Sequence, residues 1–226
     1  MSYSVFENKS NCCGCSACKN VCPKNAISMS SDSEGFLYPQ VDPALCVECG
    51  LCKKVCDFSK ERVSEDLSPA VFAVKADDTV RKSSASGGLF AVLSDKTLEN
   101  GGVVYGAAFD KDVKVRHTRA VNKEERDAQR GSKYLQSDVG DCFKAVKKDL
   151  EEGLSVLFSG TTCQVAGLKS YLQGVDTKKL LLVDILCHGT PSPLIFEEYV
   201  KFVEKKRGKK VALYHSRAKD KGYIFN

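Results

Sequence analysis

Residues 12–23 read CCGCSACKNVCP and residues 46–57 read CVECGLCKKVCD, the same cysteine comb written twice. Cys12, Cys15, Cys18 and Cys22 follow C-x2-C-x2-C-x3-C, and Cys46, Cys49, Cys52 and Cys56 repeat it, with Asp57 where the first comb has Pro23. This is the spacing of bacterial two-cluster ferredoxins, in which three close thiolates hold one [4Fe-4S] cube and the fourth crosses to the other. It assigns one cluster to Cys12, Cys15, Cys18 and Cys56, and the second to Cys46, Cys49, Cys52 and Cys22. Two intervening residues let a tight loop aim successive thiolates at different irons, and Gly14 and Gly50 give the backbone room beside the sulfides. Zinc sites use CxxC pairs parted by longer loops, and disulfides need an oxidising compartment. Neither accounts for a third cysteine at +6 and a fourth at +10, twice. Cys13 fits neither comb and reads as a bystander.

Outward from the combs, the chain is an ordinary globular sequence. It has 226 residues, 42% hydrophobic and 28% charged, and nine of its twelve cysteines fall between Cys12 and Cys56. The start, MSYSVFENKSNC, has neither a basic leader nor an apolar core of a signal peptide, so a reducing, cytoplasmic setting is expected. The longest apolar runs, VVYGAAF and LLLVDIL, fall far short of the roughly 18 residues a membrane span requires. Residues 1–66 carry 7 basic and 9 acidic groups, residues 67–200 carry 18 of each, and residues 201–226 carry 9 against 2. That basic run reads as a solvated helix face, not a nucleic-acid site, and clusters would make the amino-terminal part more acidic. A basic docking partner, including the chain's own last helix, suits such a surface.

The expected organisation is a two-cluster ferredoxin-type domain over residues 1–58, a polar linker over 59–69 ending in Pro69, and an α/β domain over 70–226. In the last, the pattern predicts strands at 70–74, 103–109, 113–118, 155–160 and 180–186. Helices are predicted at 87–100, 138–152, 163–173 and 193–207, the last with Ser192 as N-cap and Pro193 at N1. Strands alternating with helices of this length predict a sheet with parallel pairs. Residues 211–217 read as a further strand and YIFN as the start of another, so the α/β domain is expected to be incomplete at its C-terminus.

A bare ferredoxin needs no further 160 residues, so the α/β part supplies chemistry or docks a partner. Neither G-x-G-x-x-G after a strand nor a P-loop is present. Ser86-Gly87-Gly88 opens a helix, and Ser159 to Gln164 joins a strand to a helix; each is a place where a phosphate could be held, but taken alone each reads first as a plain helix N-cap. Cys163 at a helix start is expected to have a lowered thiol pKa, as a ligand or redox thiol, with a small buried residue as the alternative. His188 follows Cys187 at a strand end, where open α/β sheets place ligand groups.

The order of the combs, SASGGLF, RGSKYLQSDVG (130–140), VLFSGTTCQVAGL (156–168), VDILCHGTPSP (183–193) and HSRAKDKGY resembles the family of coenzyme F420 hydrogenase/dehydrogenase beta subunits over nearly the whole chain. Thr162 stands where the family usually has Pro. The resemblance implies an iron–sulfur flavoprotein binding FAD through Ser86, Gly87, Gly88, Gly131, Ser132, Lys133, Tyr134, Gly160, Thr161, Thr162, Cys163 and Gln164. Cys187 and His188 lie in a further family motif and join this set. The fold it implies is an α+β ferredoxin-like two-cluster domain followed by an α/β flavin-binding domain. The implied function is an oxidoreductase passing electrons among a hydride carrier such as coenzyme F420, FAD, two [4Fe-4S] clusters and a redox protein or larger complex. The rival reading is a non-catalytic two-cluster carrier or a docking component of such a complex.

Overall fold

A computed structural model describes residues 4–59 and 70–216; the expected linker and the YIFN segment lie outside these residues. Each comb leads into one short helix, α1 (Ala17–Val21) after the first and α2 (Leu51–Val55) after the second. Between them runs an antiparallel hairpin of β1 (Ile27–Ser31) and β2 (Leu37–Val41), in register from Ile27 opposite Val41 to Ser31 opposite Leu37. The two combs share one backbone path. Gly14 and its counterpart Glu48 are left-handed (φ 68° and 51°), as are Ser16 and its counterpart Gly50 (φ 65° and 76°). Cys22 and Cys56 close α1 and α2 alike, their N–H groups donating to Lys19 and Lys53 carbonyls. Sequence periodicity missed α1 and α2 because each is only five residues long.

The second part is built on a four-stranded sheet, with α3 (Asp78–Lys82) and α4 (Leu89–Glu99) before β3 (Val103–Phe109) and β4 (Val115–Ala120). Then come α5 (Lys123–Asp127), α6 (Cys142–Glu151), β5 (Val156–Thr161), α7 (Thr162–Tyr171), β6 (Leu180–Ile185) and α8 (Pro193–Arg207). The order is β4-β3-β5-β6, with β3 antiparallel to β4 and parallel to β5, and β5 parallel to β6. The sheet is thus mixed, with parallel pairs where strands alternate with helices. Residues 70–77, expected to start with a strand, form none, and 211–216 are likewise not a strand. Neither segment has a neighbour completing a ladder among the described residues, and the apolar Val71 and Phe72 are largely exposed. The short α3 and α5 were not anticipated; Asp77 and Asn122 cap them, each side chain accepting from backbone N–H groups.

Alternation along β3 sorts the core. Val103 and Tyr105 point to the face packed with Phe143 and Val146 of α6, Leu168 of α7, and Ala17, Ile27 and Val55 of the comb region. Val104 points to the opposite face, with Leu157 of β5 and partly buried Phe90 and Leu93 of α4. Both faces of β3 are therefore covered, as a central strand's long apolar run requires. The two expected domains share the first of these cores. Asn20, 3% exposed, joins them: its amide donates to the Ser16 and Gly140 carbonyls and accepts from Lys144 N–H. At the basic end of α8, Lys205, Lys206 and Arg207 are exposed among the described residues. The helix meets the comb region through its first turn, where Ser192 Oγ–H donates to the Glu34 carbonyl at 2.5 Å.

The candidate cluster sites and a shared cofactor cavity

Folding sorts the eight comb cysteines into two sets of four. Cys12, Cys15, Cys18 and Cys56 line a cavity of about 850 Å³ between the first comb and α7. Cys22, Cys46, Cys49 and Cys52 line a smaller depression at the far end, where Cys49 is exposed. Each set holds three cysteines of one comb and the fourth of the other, because the antiparallel hairpin carries each fourth cysteine across to its opposite comb. Burial pushes the Cys18 thiol up to about 12 and raises Cys12, so iron must displace these protons to gain its thiolates. No group of three or more His, Cys, Asp or Glu among the described residues converges on a single metal-ion position. The fit to a cube is carried by Ser16, 2% exposed beside the first set, whose hydroxyl finds no partner among the described residues. A cluster's sulfurs are acceptors for such a hydroxyl.

A second cavity of about 970 Å³ opens along the carboxyl ends of β5 and β6. This is within the size range of cofactor sites and at the sheet edge where open α/β folds bind ligands. Ser86, Gly87 and Gly88 line it, with Gly131, Ser132, Lys133 and Tyr134, then Gly160, Thr161, Cys163 and Gln164, and finally Cys187 and His188. Thr162 does not. It starts α7 and its hydroxyl donates to Asp184 of β6 at 2.9 Å, a tie that the family's usual proline lacks. Gly88 caps α4 in a left-handed conformation (φ 86°) with no side-chain bond to the first turn, which leaves that turn's N–H groups for an anion. The turn before α7 is held differently, by Thr161 N–H donating to Gln164 Oε1 at 3.1 Å.

Lys133 points its Nζ at the Ala128 and Arg130 carbonyls, at 2.9 and 2.8 Å, and burial lowers its pKa to about 8. Cys163 departs from expectation. Its thiol pKa is raised, first by a hydrogen bond with Cys13 and then by burial, and these outweigh the helix start. Cys13 is correspondingly no bystander. With Cys12 and Cys163 it lies on the wall common to the large cavity and the first cluster site.

Three further residues of this cavity escaped the sequence reading. His117 is 7% exposed, with Nδ1 at 2.6 Å from Ser137 Oγ and Nε2 at 3.1 Å from the Ser159 carbonyl. The carbonyl can only accept, so Nε2 carries the proton and Nδ1 accepts from Ser137. Burial lowers the His117 pKa to about 4, keeping the ring neutral against Phe158, stacked at 5.2 Å. Gln129 turns its Nε2 to the Thr118 carbonyl at 2.9 Å and leaves Oε1 buried without a partner among the described residues. Gln136 accepts from Leu37 N–H at 2.7 Å, pinning the 131–137 loop to β2. The alternation of β4, in which Val115 and His117 face inward together, was the available signal for His117.

Fold and site together define a two-cluster iron–sulfur protein whose first cluster site abuts a cofactor-sized cavity in a mixed α/β sheet. Residues 11–59 match the family model of the 4Fe-4S dicluster domain, and residues 153–225 match that of the C terminus of the coenzyme F420 hydrogenase/dehydrogenase beta subunit. The last third of the chain is thus similar to the C terminus of the F420 hydrogenase/dehydrogenase beta subunit, and the amino-terminal match supports two [4Fe-4S] clusters. It is 23% identical over 188 residues to the F subunit of the F420H2 dehydrogenase of Methanosarcina mazei, a match covering 78% of this chain and 53% of that protein. The chain thus spans about half the length of that curated relative. A chain of the xenon-derivatised F420-reducing [NiFe] hydrogenase complex from Methanosarcina barkeri aligns with a TM-score of 0.46 and 21% identity, over 57% of this chain and 47% of its own. Among the described residues, no helix is long and apolar enough to cross a membrane.

Proposed function

We propose that this oxidoreductase component binds FAD in the large cavity and passes electrons between a hydride carrier of the coenzyme F420 type, the flavin, the two clusters and a protein partner. The observation that carries this reading is the shared wall, where Cys12, Cys13 and Cys163 border both the large cavity and the first cluster site. A flavin supplies the conversion between electron pairs and single electrons that a cube cannot perform on hydride. The chain's residues hold it: the first turn of α4 receives an anion, and Gly87 and Gly88 let the backbone approach. Lys133 offers a cation whose burial brings its proton within reach of neutral pH. Neutral His117 fixes the end of β5 and the 131–137 loop in one position. The second cluster site, with Cys49, Val47 and Leu51 exposed, is the exchange point with a redox partner.

The test is anaerobic reconstitution of the full chain with iron, sulfide and FAD, followed by cofactor analysis and reduction with F420H2. Expected are two clusters and one bound flavin per chain, the flavin bleaching before the clusters. Two clusters with no bound flavin would instead support the electron-carrier reading.

A further inference from the structure

Ser16 and Gly50 occupy equivalent places, each directly after the second cysteine of its comb and each left-handed, at φ 65° and 76°. Only Gly is at ease in that conformation, so a serine in the first comb is a departure from what the backbone favours. Ser16 lies beside the site of Cys12, Cys15, Cys18 and Cys56, is 2% exposed, and its hydroxyl has no partner among the described residues. A buried hydroxyl left unpaired is costly, so a partner is expected there. Its own carbonyl is satisfied, accepting from the backbone N–H and the side-chain amide of Asn20, each at 3.0 Å, so the residue is held firmly while Oγ remains free. At Gly50 the second site has no such group, and an added β-carbon would meet nothing within 4 Å.

We propose that the Ser16 hydroxyl donates a hydrogen bond to a sulfur of the cluster held by Cys12, Cys15, Cys18 and Cys56, and thereby raises that cluster's midpoint potential. The inference rests on the two-cluster assignment above. Reduction adds one electron to the cube and breaks no bond, and the added negative charge resides largely on iron and sulfur. A donor aimed at sulfur therefore stabilises the reduced form more than the oxidised one, and hydrogen bonds to the sulfurs are a recognised determinant of cluster potential. The second cluster lacks this donor, because Gly50 stands at the place equivalent to Ser16 in the shared backbone frame.

The experiment is an EPR-monitored potentiometric titration of the full chain, reconstituted anaerobically and assayed first for iron and sulfide. Ser16→Gly suits the left-handed backbone and Ser16→Ala removes only the oxygen. Both are expected to load two clusters and to lower one midpoint, leaving the other in place. At the original midpoint the ratio of reduced to oxidised cluster should fall three- to tenfold, tenfold being about 59 mV for one electron. Gly50→Ser should raise the other midpoint. Two loaded clusters with unmoved midpoints in both Ser16 variants would overturn the inference and leave the two-cluster assignment standing. A shift in Ser16→Gly without one in Ser16→Ala would trace the effect to backbone and overturn it equally. Unsubstituted protein that never exceeds four irons would overturn both.

Discussion

Gly167 on α7 lies so close to Cys15 of the first comb that a β-carbon there would stand 3.0 Å from the cysteine sulfur. Two residues 152 positions apart thus set the distance between the first cluster site and the helix whose first turn borders the large cavity. Gly167→Ala forces either Cys15 or α7 to shift by a few tenths of an ångström, and Gly167→Leu forces more. Iron content after reconstitution should fall toward four per chain in Gly167→Leu, with a smaller loss in Gly167→Ala. Full loading in Gly167→Leu would show that the contact does not constrain the cluster.

The crossing of the fourth cysteines makes a selective prediction. Replacing Cys22 by Ser should damage the cluster of Cys46, Cys49 and Cys52, whose depression it lines, and spare the site of Cys12, Cys15 and Cys18. EPR of the reduced variant, read beside Cys56→Ser, should show the opposite cluster lost in each. Loss of the nearer cluster would reverse the assignment.

His117 makes stability depend on pH between about 4 and 6.5. Its folded pKa is lowered from 6.5 to about 4, so in that window the unfolded chain binds a proton that the folded chain does not. Its contribution is therefore whole above 6.5 and is lost as pH falls toward 4, amounting to about 3 kcal/mol. Denaturant melts at pH 7 and pH 5 should show a larger drop in unsubstituted protein than in His117→Gln. Equal drops would mean that the ring is protonated without cost.

A buried carboxylate anchors α6 beneath the sheet. Asp149 is 5% exposed, accepts Arg119 Nε and Nη2 at 2.8 and 2.9 Å, and accepts the Tyr105 hydroxyl at 2.5 Å. Burial works against its charge, but the bonds from Arg119 and Tyr105 win and hold its pKa below the usual carboxylate value. Tyr105→Phe keeps the ring in the core and removes one donor to a charged acceptor, at a cost of about 2 kcal/mol. Chemical denaturation at neutral pH measures it, and a change under about 0.5 kcal/mol would show Arg119 to be sufficient.

Flavin affinity should respond to Gly88. A β-carbon there would meet Ala76 Cβ at 3.0 Å, at a backbone φ of 86° that disfavours any side chain. Gly88→Val is expected to weaken FAD binding at least tenfold while leaving iron content unchanged, since this residue caps α4 and lines neither cluster site. Fluorescence titration and iron analysis of the same preparation provide the two readings.

The cluster chemistry was legible in the amino-acid order because ligand spacing is a local property: three thiolates within seven residues must face one cube whatever the chain does elsewhere. Most of the α/β elements were legible too, since β3, β5, β6, α7 and α8 each carry a full period of apolar residues and a cap or breaker at the end. The short α1, α2, α3 and α5 were illegible for the converse reason, as five residues make little more than one helical turn, and in the β1–β2 hairpin Pro39 within β2 argues against a strand. Which comb each fourth cysteine serves was read by analogy, and the hairpin between the combs supplies its physical cause. The neighbours of Cys13 were beyond the sequence altogether. Its proximity to Cys163, the thiol pKa of Cys163 raised against the helix dipole, and the closed pairing of His117 with Ser137 and Ser159 all arise where distant segments meet. Packing between those segments is what gives the cluster region and the sheet one core, and what puts their common wall between the first cluster site and the large cavity.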